Sequence, residues 1–136
     1  MISNLQLKLL FVVIYLVVDI LYVSMSREYY GSYVKKIQGS DMKYSNANMV
    51  SAILSYIILG TGWFVFIANK IKPSTTYLEI LPFTVLYGLI IYGVFNTTLF
   101  VMFDKWDIYV SIRDTMWGVS WITTISFIYL TVLKKL

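Results

Sequence analysis

The sequence contains no cysteine and no histidine. Without cysteine the chain has no disulfide, no thiolate nucleophile and no thiolate ligand for an iron–sulfur cluster. Without histidine it lacks the usual zinc and haem ligand, and also the commonest general base near neutral pH. We therefore predict no metal site and no cofactor. We assign no catalytic residues, and an enzymatic role is the less favoured interpretation.

Charged residues are also scarce. They make up 13% of the chain, whereas hydrophobic residues make up 59%, and the mean hydropathy is +0.74. A water-soluble domain of 136 residues could not hide this apolar surplus in a core, so much of it must face lipid. The net charge of +4 comes from lysines near the ends of apolar runs. That placement suits lipid headgroups and argues against a nucleic-acid partner.

Four apolar runs of membrane-spanning length fill most of the chain, at about residues 5–26, 49–71, 80–103 and 108–133. Because the runs are continuous, they favour helices over the alternating strands of a barrel. The sequence thus predicts an all-α fold, a four-helix transmembrane bundle forming one integral membrane domain over residues 1–136. Pro82 is expected in the first turn of its helix. The polar connection 27–48 carries Tyr29, Tyr30 and Tyr33 at helical spacing, so part of it is expected to extend the first helix or lie along the membrane surface.

The lysines and arginines bear on orientation. Four spans place both chain ends and the loop with Lys70 and Lys72 on one face of the membrane, and the other two loops on the opposite face. The basic residues divide almost evenly between the faces, so the positive-inside rule discriminates little. The face with the chain ends carries its lysines directly against the helix ends, and Glu79 is its one acid. This pattern favours cytoplasmic termini.

Polar side chains within the spans fall at a common depth. At 1.5 Å per residue, Asp19, Asn96 and Asp114 lie roughly 8–11 Å below the face that bears the first loop. Arg113 and Ser55 fall in the same slab. An unpaired charge in hydrocarbon costs at least ~2.5–3.5 kcal/mol, so these groups should face one another or a water-filled cavity. Arg113 is the expected ion-pair partner of Asp19 or Asp114.

Other polar and aromatic residues share helical faces with this layer at intervals of three, four or seven residues, which predicts inward-facing stripes. The stripe residues singled out for the polar layer or for packing are Tyr22, Tyr92, Trp117 and Gly118, and Trp106 is expected to pack at the membrane interface.

Three interpretations of the layer are open. It could be a functional site for a substrate, an ion or a proton. It could instead fix the register of the helices through an ion pair and the Asn96 amide, with no ligand. In the third interpretation Arg113 and Asp114 lie at the interface, and the fourth span begins only at Thr115.

The stretch Tyr92-Gly93-Val94-Phe95-Asn96-Thr97-Thr98, followed by Trp106 and by Asp114-Thr115-Met116-Trp117-Gly118, resembles the second half of a family of small, mainly bacterial, four-span membrane proteins. This family is known as domain of unknown function 2177. It typically reads Y-x-x-Y-D-x-T-N, then a Trp, then D-x-x-W-G. Asp19 followed by Tyr30 is similar to its pattern in the first helix.

The chain departs from the family pattern at two positions. Asn96 stands where the family usually has Asp, and Leu99 stands where it usually has Asn. If the family Asp holds a proton or a cation, this chain has lost that charge. The family has no established biochemistry, so the resemblance implies the topology and the importance of Asp19 and Asp114, but no reaction.

The leading hypothesis is a multi-pass membrane protein that binds or transports a small polar or amphipathic molecule at the polar layer. The alternative is a structural or assembly component of a membrane complex, including the inner membrane of a virion, since the Tyr-, Ile- and Asn-rich composition suits an AT-rich genome. An intramembrane lipid-modifying enzyme is third. The expected partners are the lipid bilayer and further membrane subunits, either copies of this chain or other proteins. An open cavity at the layer favours binding, and a filled layer favours the structural role.

Overall fold

A computed structural model describes residues 3–136. Within that range the chain has no strand and forms the α-helices α1 (Asn4–Met25), α2 (Arg27–Gln38), α3 (Asn46–Gly62), α4 (Tyr77–Gly88), α5 (Val94–Met102) and α6 (Ile108–Leu133), with the π-helical segments π1 (Trp63–Ala68) and π2 (Leu89–Gly93). Four continuous helices are long and apolar enough to cross a membrane, namely Asn4–Met25, Asn46–Ala68, Tyr77–Met102 and Ile108–Leu133. They are spans 1 to 4. The predicted all-α four-helix transmembrane bundle is confirmed.

Side-chain caps decide where the spans begin. The Ser45 hydroxyl accepts a hydrogen bond from the Asn48 backbone N–H, and Thr76 forms a reciprocal capping box with Glu79. Spans 2 and 3 therefore start before the apolar runs at 49 and 80, because their first turns contain polar residues. The expected first-turn position of Pro82 is also wrong. The helix α4 begins directly after the Thr76 cap, so Pro82 lies beyond its first turn, in the interior of the helix.

The polar connection contains a separate helix, α2, which starts after a break at Ser26 instead of extending α1. No residue of α2 is fully buried, and Tyr29 and Tyr30 are half-buried against the ends of the spans. The helix ends at Gly39, whose φ of 74° lies in the left-handed region that favours glycine.

Span 4 is the central helix, and its closest neighbour is span 3. At their crossing, a Cβ atom on Gly88 would lie 2.8 Å from the Val119 Cα. Span 2 approaches span 1 in the same way, since a Cβ on Gly60 would lie 3.0 Å from a Val12 methyl group. Glycine thus permits helix contacts that a larger residue would prevent.

The half of the bundle nearest Asn4 and Leu133, here called the terminal half, holds the apolar core. Its buried side chains are Leu7, Phe11, Tyr15, Trp63, Ile67, Ala68, Ile71, Ile80, Ile122, Ile125, Tyr129, Leu130 and Leu133. Trp63 is fully buried and donates a hydrogen bond to the Ser126 hydroxyl over 3.0 Å. Its ring meets that of Tyr129 edge to face at 5.8 Å. This half is therefore tightly packed.

The opposite half, here called the cleft half, is open along span 2. Every residue of α3 from Asn46 to Ser55 is exposed, and the first buried residue of that helix is Gly60. In the described part of the chain, α3 packs on α1 but has no comparable packing against α5. The first half of α3 therefore diverges from the bundle and leaves a space beside span 3.

Candidate functional site

Asp19 lies on α1 and is 5% exposed. Its Oδ1 atom accepts a hydrogen bond from the Tyr92 hydroxyl at 3.0 Å and another from Trp117 Nε1 at 3.0 Å. The donors come from spans 3 and 4, so this carboxylate joins three of the membrane-crossing helices. The indole of Trp117, expected only to pack, is one of its two donors.

Asp114 lies on α6 and accepts hydrogen bonds from residues of two other helices, α5 and α2. Its Oδ2 accepts a hydrogen bond of 2.7 Å from Asn96 Nδ2, and its Oδ1 accepts one of 2.9 Å from the Tyr30 hydroxyl. The same Asn96 nitrogen also donates to the Tyr92 carbonyl at 2.8 Å, so both of its hydrogens are used. Asn96 is 1% exposed and serves as a neutral donor to the carboxylate.

The π-helical segment π2 carries Tyr92 and directly precedes the helix with Asn96. The π-helical turn is wider than an α-helical one. From this stretch Tyr92 reaches Asp19 on span 1, and Asn96 reaches Asp114 on span 4. Gly118 faces the Tyr92 ring so closely that a Cβ there would overlap it. Gly118 therefore packs against Tyr92, which is a hydrogen-bond donor to Asp19.

Aromatic side chains connect the two carboxylates. The hydroxyl groups of Tyr22 and Tyr30 are hydrogen-bonded at 2.9 Å, and the Tyr22 ring stacks on Trp117 at 4.1 Å between centroids. Tyr30 lies on α2, outside the spans. Burial raises the pKa of its hydroxyl above the ordinary value, as do its bond to Tyr22 and the charge of Asp114. Tyr30 therefore stays protonated and can donate to Asp114.

The expected ion pair of Arg113 with Asp19 or Asp114 is wrong. Within residues 3–136 the one ion pair is Lys35–Asp41, at 3.0 Å on the exposed connection. Arg113 is exposed, and its guanidinium lies 4.5 Å from the centre of the Tyr29 ring and 3.4 Å from the Ser26 hydroxyl. Consecutive helix residues point about 100° apart, because a turn holds 3.6 residues. When Asp114 faces Asn96, Arg113 must face elsewhere, here towards α2.

Two further predicted residues lie near the carboxylates without touching them. The Ser55 hydroxyl donates to the Ser51 carbonyl at 2.9 Å within α3. Trp106 donates to the Ser111 hydroxyl at 3.0 Å, and Ser111 in turn donates to the Asn96 carbonyl at 3.1 Å. Trp106 therefore supports Asn96 indirectly, and Ser55 only lines the adjoining space.

An open cleft of about 760 Å³ reaches the carboxylates from the side of α3. The lining residues with polar side-chain atoms are Asp19, Ser24, Arg27, Tyr30, Tyr44, Ser55, Tyr56, Tyr92, Asn96, Trp106 and Asp114. Its other lining residues are Val23, Met42, Ala52, Leu59, Ile91, Phe95 and Leu99. The cleft thus has an acidic end and largely apolar walls.

Most of the lining residues were not among the predicted site residues, and Tyr30, Arg27 and Tyr56 are three of them. Tyr30 contacts Asp114 from α2, and the family resemblance to its position was the available signal. Arg27 and Tyr56 line the cleft because α2 folds over the bundle end and α3 diverges from it. Neither arrangement of helices leaves a periodic pattern in the sequence.

The fold and the cleft define a class, that of multi-pass α-helical membrane proteins with a polar cluster inside the bundle. Within that class, the chain belongs to the family described as "Predicted membrane protein (DUF2177)", whose sequence model matches residues 5–131. The predicted family membership is therefore confirmed, and it covers nearly all of the chain. No curated protein and no solved structure matches the chain.

Proposed function

We propose that this protein binds an amphipathic membrane molecule in the cleft. The polar end of the ligand lies at Asp19 and Asp114, and its apolar part lies between α3 and α5. The observation that carries the proposal is the continuity of one space of about 760 Å³ from the carboxylates of Asp19 and Asp114 to the exposed side of α3. A space of this size falls in the range of ordinary small-molecule pockets.

The lining supports an amphipathic ligand over a purely polar one. Beyond the acidic end, the walls are formed by side chains such as Leu59, Ile91 and Phe95. Apolar walls offer a polar solute no hydrogen bonds to replace those it makes with water, whereas a hydrocarbon chain has no such hydrogen bonds to lose. The lateral position of the opening also suits entry from the bilayer.

The cleft argues against the role of the polar layer as a register-fixing cluster alone. Such a cluster needs the hydrogen bonds of Asp19 and Asp114 but no accessible space beside them. In this protein both carboxylates also line the cleft. Ligand binding accounts for the space and for the hydrogen bonds, while register-fixing accounts only for the second.

The test uses stearyl probes that carry a nitroxide on the chain, in lipid vesicles containing the protein. Electron spin resonance is expected to show an immobilised component beyond that of the surrounding lipid, saturable and displaced by unlabelled octadecanol. Ala52→Trp fills the cleft and should remove this component. Ile53→Trp is the matched control, because Ile53 lies next along α3 and is 58% exposed. An extra component that survives Ala52→Trp, or that is missing in the parent protein, would refute the proposal.

The exposed half of α3 favours a second candidate function, a lateral contact in an assembly. A second copy of the chain, or another membrane subunit, could cover residues 46–55, all of which are exposed. Because the sequence has no cysteine, a single Ile53→Cys substitution gives a clean cross-linking test. Disulfide-linked dimers that persist on dilution with lipid would support the contact, and their loss on dilution would exclude a stable pair at this surface.

We also propose cytoplasmic termini, supported by the lysines close to the helix ends on that face. Ser40→Cys and Ser74→Cys place single thiols on opposite faces, in two exposed loops. A membrane-impermeant maleimide applied to intact cells should label the first and spare the second. The reverse pattern would invert the topology.

A further inference from the structure

The carboxylate of Asp19 has one unused oxygen. Oδ1 accepts both hydrogen bonds, from Tyr92 and Trp117, and Oδ2 accepts none from residues 3–136. In that part of the chain, the Tyr15 hydroxyl is the one enclosed side-chain polar atom without a partner. Asp19 Oδ2 also lacks a partner but is not among the fully buried atoms, so it is at least partly accessible. Since Asp19 lines the cleft and is otherwise 95% covered, Oδ2 is open to the cleft.

Asp19 and Asp114 also lack a compensating positive charge. No lysine or arginine among residues 3–136 lies within 4.0 Å of either carboxylate. The guanidinium of Arg113 lies over Tyr29, and that of Arg27 lies 4.7 Å from the centre of the Tyr44 ring at the cleft. Both cations are thus engaged by aromatic rings. Carboxylates at this depth of a membrane favour a cationic partner, because water is scarce there.

Aromatic rings surround the space beside the carboxylates. The cleft is lined by Tyr30, Tyr44, Tyr56, Tyr92, Phe95 and Trp106. Aromatic faces attract ammonium groups, and more strongly where water is excluded. Carboxylates together with aromatic rings are a common setting for alkylammonium recognition, and neither feature favours an anionic headgroup.

A metal ion is a weaker candidate than an organic cation. The described residues contain no group of three or more acidic side chains able to hold one. The free oxygen of Asp19 and the hydrogen-bonded carboxylate of Asp114 would leave most of the coordination shell of a hard cation unfilled. An ammonium group needs few acceptors, and it brings a hydrocarbon chain that the apolar walls can hold.

We propose that the ligand of the cleft is an amphiphile with an ammonium headgroup, which sits at Asp19 Oδ2 beside Asp114 while its chain extends between α3 and α5. This inference rests on the proposed function and names the class of its ligand. Asp19 supplies the direct ionic contact, and Asp114 adds its negative charge nearby.

The test compares three nitroxide-labelled probes with the same stearyl chain, bearing a trimethylammonium, a hydroxyl or a carboxylate headgroup. Vesicles are made of phosphatidylcholine, and alkaline pH keeps the carboxylate probe ionised. Immobilisation is measured against the amount of each probe in the bilayer. We expect the ammonium probe to bind about tenfold more tightly than the alcohol, as befits one charge-assisted contact, and the carboxylate probe to bind least.

Asp19→Asn should reduce the affinity for the ammonium probe to nearly that for the alcohol, while the alcohol still binds. Binding of the alcohol also reports that the variant is folded. Asp104→Asn is the matched control, since it makes the same change of charge at an exposed position outside the cleft. It should keep the preference. Asp114→Asn should reduce the preference partly and provides a second variant if Asp19→Asn does not fold.

Equal affinity for all three probes, or a preference for the carboxylate, would overturn the ammonium proposal while leaving amphiphile binding intact. An ammonium preference that survives Asp19→Asn, or that Asp104→Asn abolishes equally, would assign it to the membrane surface and also overturn the proposal. If no probe shows binding that depends on Ala52, it is the proposed function that fails.

Discussion

The terminal half and the cleft half of the bundle are built from the same four helices but meet their neighbours differently. In the terminal half, Trp63, Tyr129 and Ile67 are at most 1% exposed. In the cleft half, α3 leaves its residues 46–55 exposed, and the space beside it reaches Asp19 and Asp114.

The close packing of the apolar core and the hydrogen bonds of Asp19 and Asp114 are therefore found in different halves of the bundle. Within hydrocarbon an apolar helix face gains little by leaving lipid, so helices associate through close fit and hydrogen bonds. The terminal half has the close fit. The cleft half has hydrogen bonds around Asp19 and Asp114 without closing over them, although burial of a charge is most favourable when it is fully partnered. An opening beside the two carboxylates suits a binding site better than a structural core.

The largest effect is expected when packing is removed from the terminal half. Trp63→Ala should lower the free energy of unfolding by about 3–5 kcal/mol, because it leaves a cavity and deprives Ser126 of its indole donor. Phe66→Ala, on the same helix but 58% exposed, should change it little. Denaturation in mixed micelles measures both. Equal losses for the two variants would mean that this half is not the stable core.

The next effect concerns the crossing of spans 3 and 4, where the two halves meet. Gly88→Ala places a methyl group 2.8 Å from the Val119 Cα, and backbone cannot turn aside as a side chain can. We expect a loss of about 3 kcal/mol in unfolding free energy. Gly93→Ala is the control, since its nearest neighbour, a Thr115 methyl group, is 3.8 Å away. If both variants are equally stable, the helices are farther apart than described.

A smaller effect is expected in the cleft half, where Gly118 and Tyr92 act as a pair. Gly118→Ala should displace the Tyr92 ring and with it the hydroxyl that binds Asp19. Tyr92→Phe, which removes only the hydroxyl, should cost about 1 kcal/mol of unfolding free energy. Because Gly118→Ala already weakens that bond, the double variant should lose less than the two single losses added together. Strict additivity would show that Gly118 does not position Tyr92.

The spans and the depth of the polar groups could be predicted from the sequence. Length and hydropathy identify a membrane-crossing helix without knowledge of its neighbours, and the rise per residue places Asp19, Asn96 and Asp114 at similar depth. The hydrogen bond between Asn96 and Asp114 agrees with that arithmetic. Helix starts were less well predicted, because Thr76 and Glu79 lie outside the apolar run and their capping box begins the helix ahead of it.

The cleft could not be predicted, since it depends on the divergence of α3 from the bundle. Residues 46–55 combine apolar residues with asparagine and serine, and nothing in their pattern distinguishes a packed helix from a divergent one. The role of Tyr30 likewise depends on where α2 folds back. For Arg113, the sequence shows that it cannot share a direction with Asp114. It does not show which of the two faces inward.

The smallest effect on the unfolding free energy is expected at Arg113, where a substitution distinguishes a cation–π contact from an ion pair with a carboxylate. Arg113→Gln should reduce the unfolding free energy by only about 0.5–1 kcal/mol, the value of an exposed cation–π contact with Tyr29. Loss of one partner from a buried ion pair would instead cost about 3–5 kcal/mol and would be coupled to Asp114→Asn. Lys105→Gln, an exposed change of the same charge, is the control. A small, uncoupled loss would mean that the carboxylates are without a cation of their own in the folded protein, which is the condition under which a ligand could supply one.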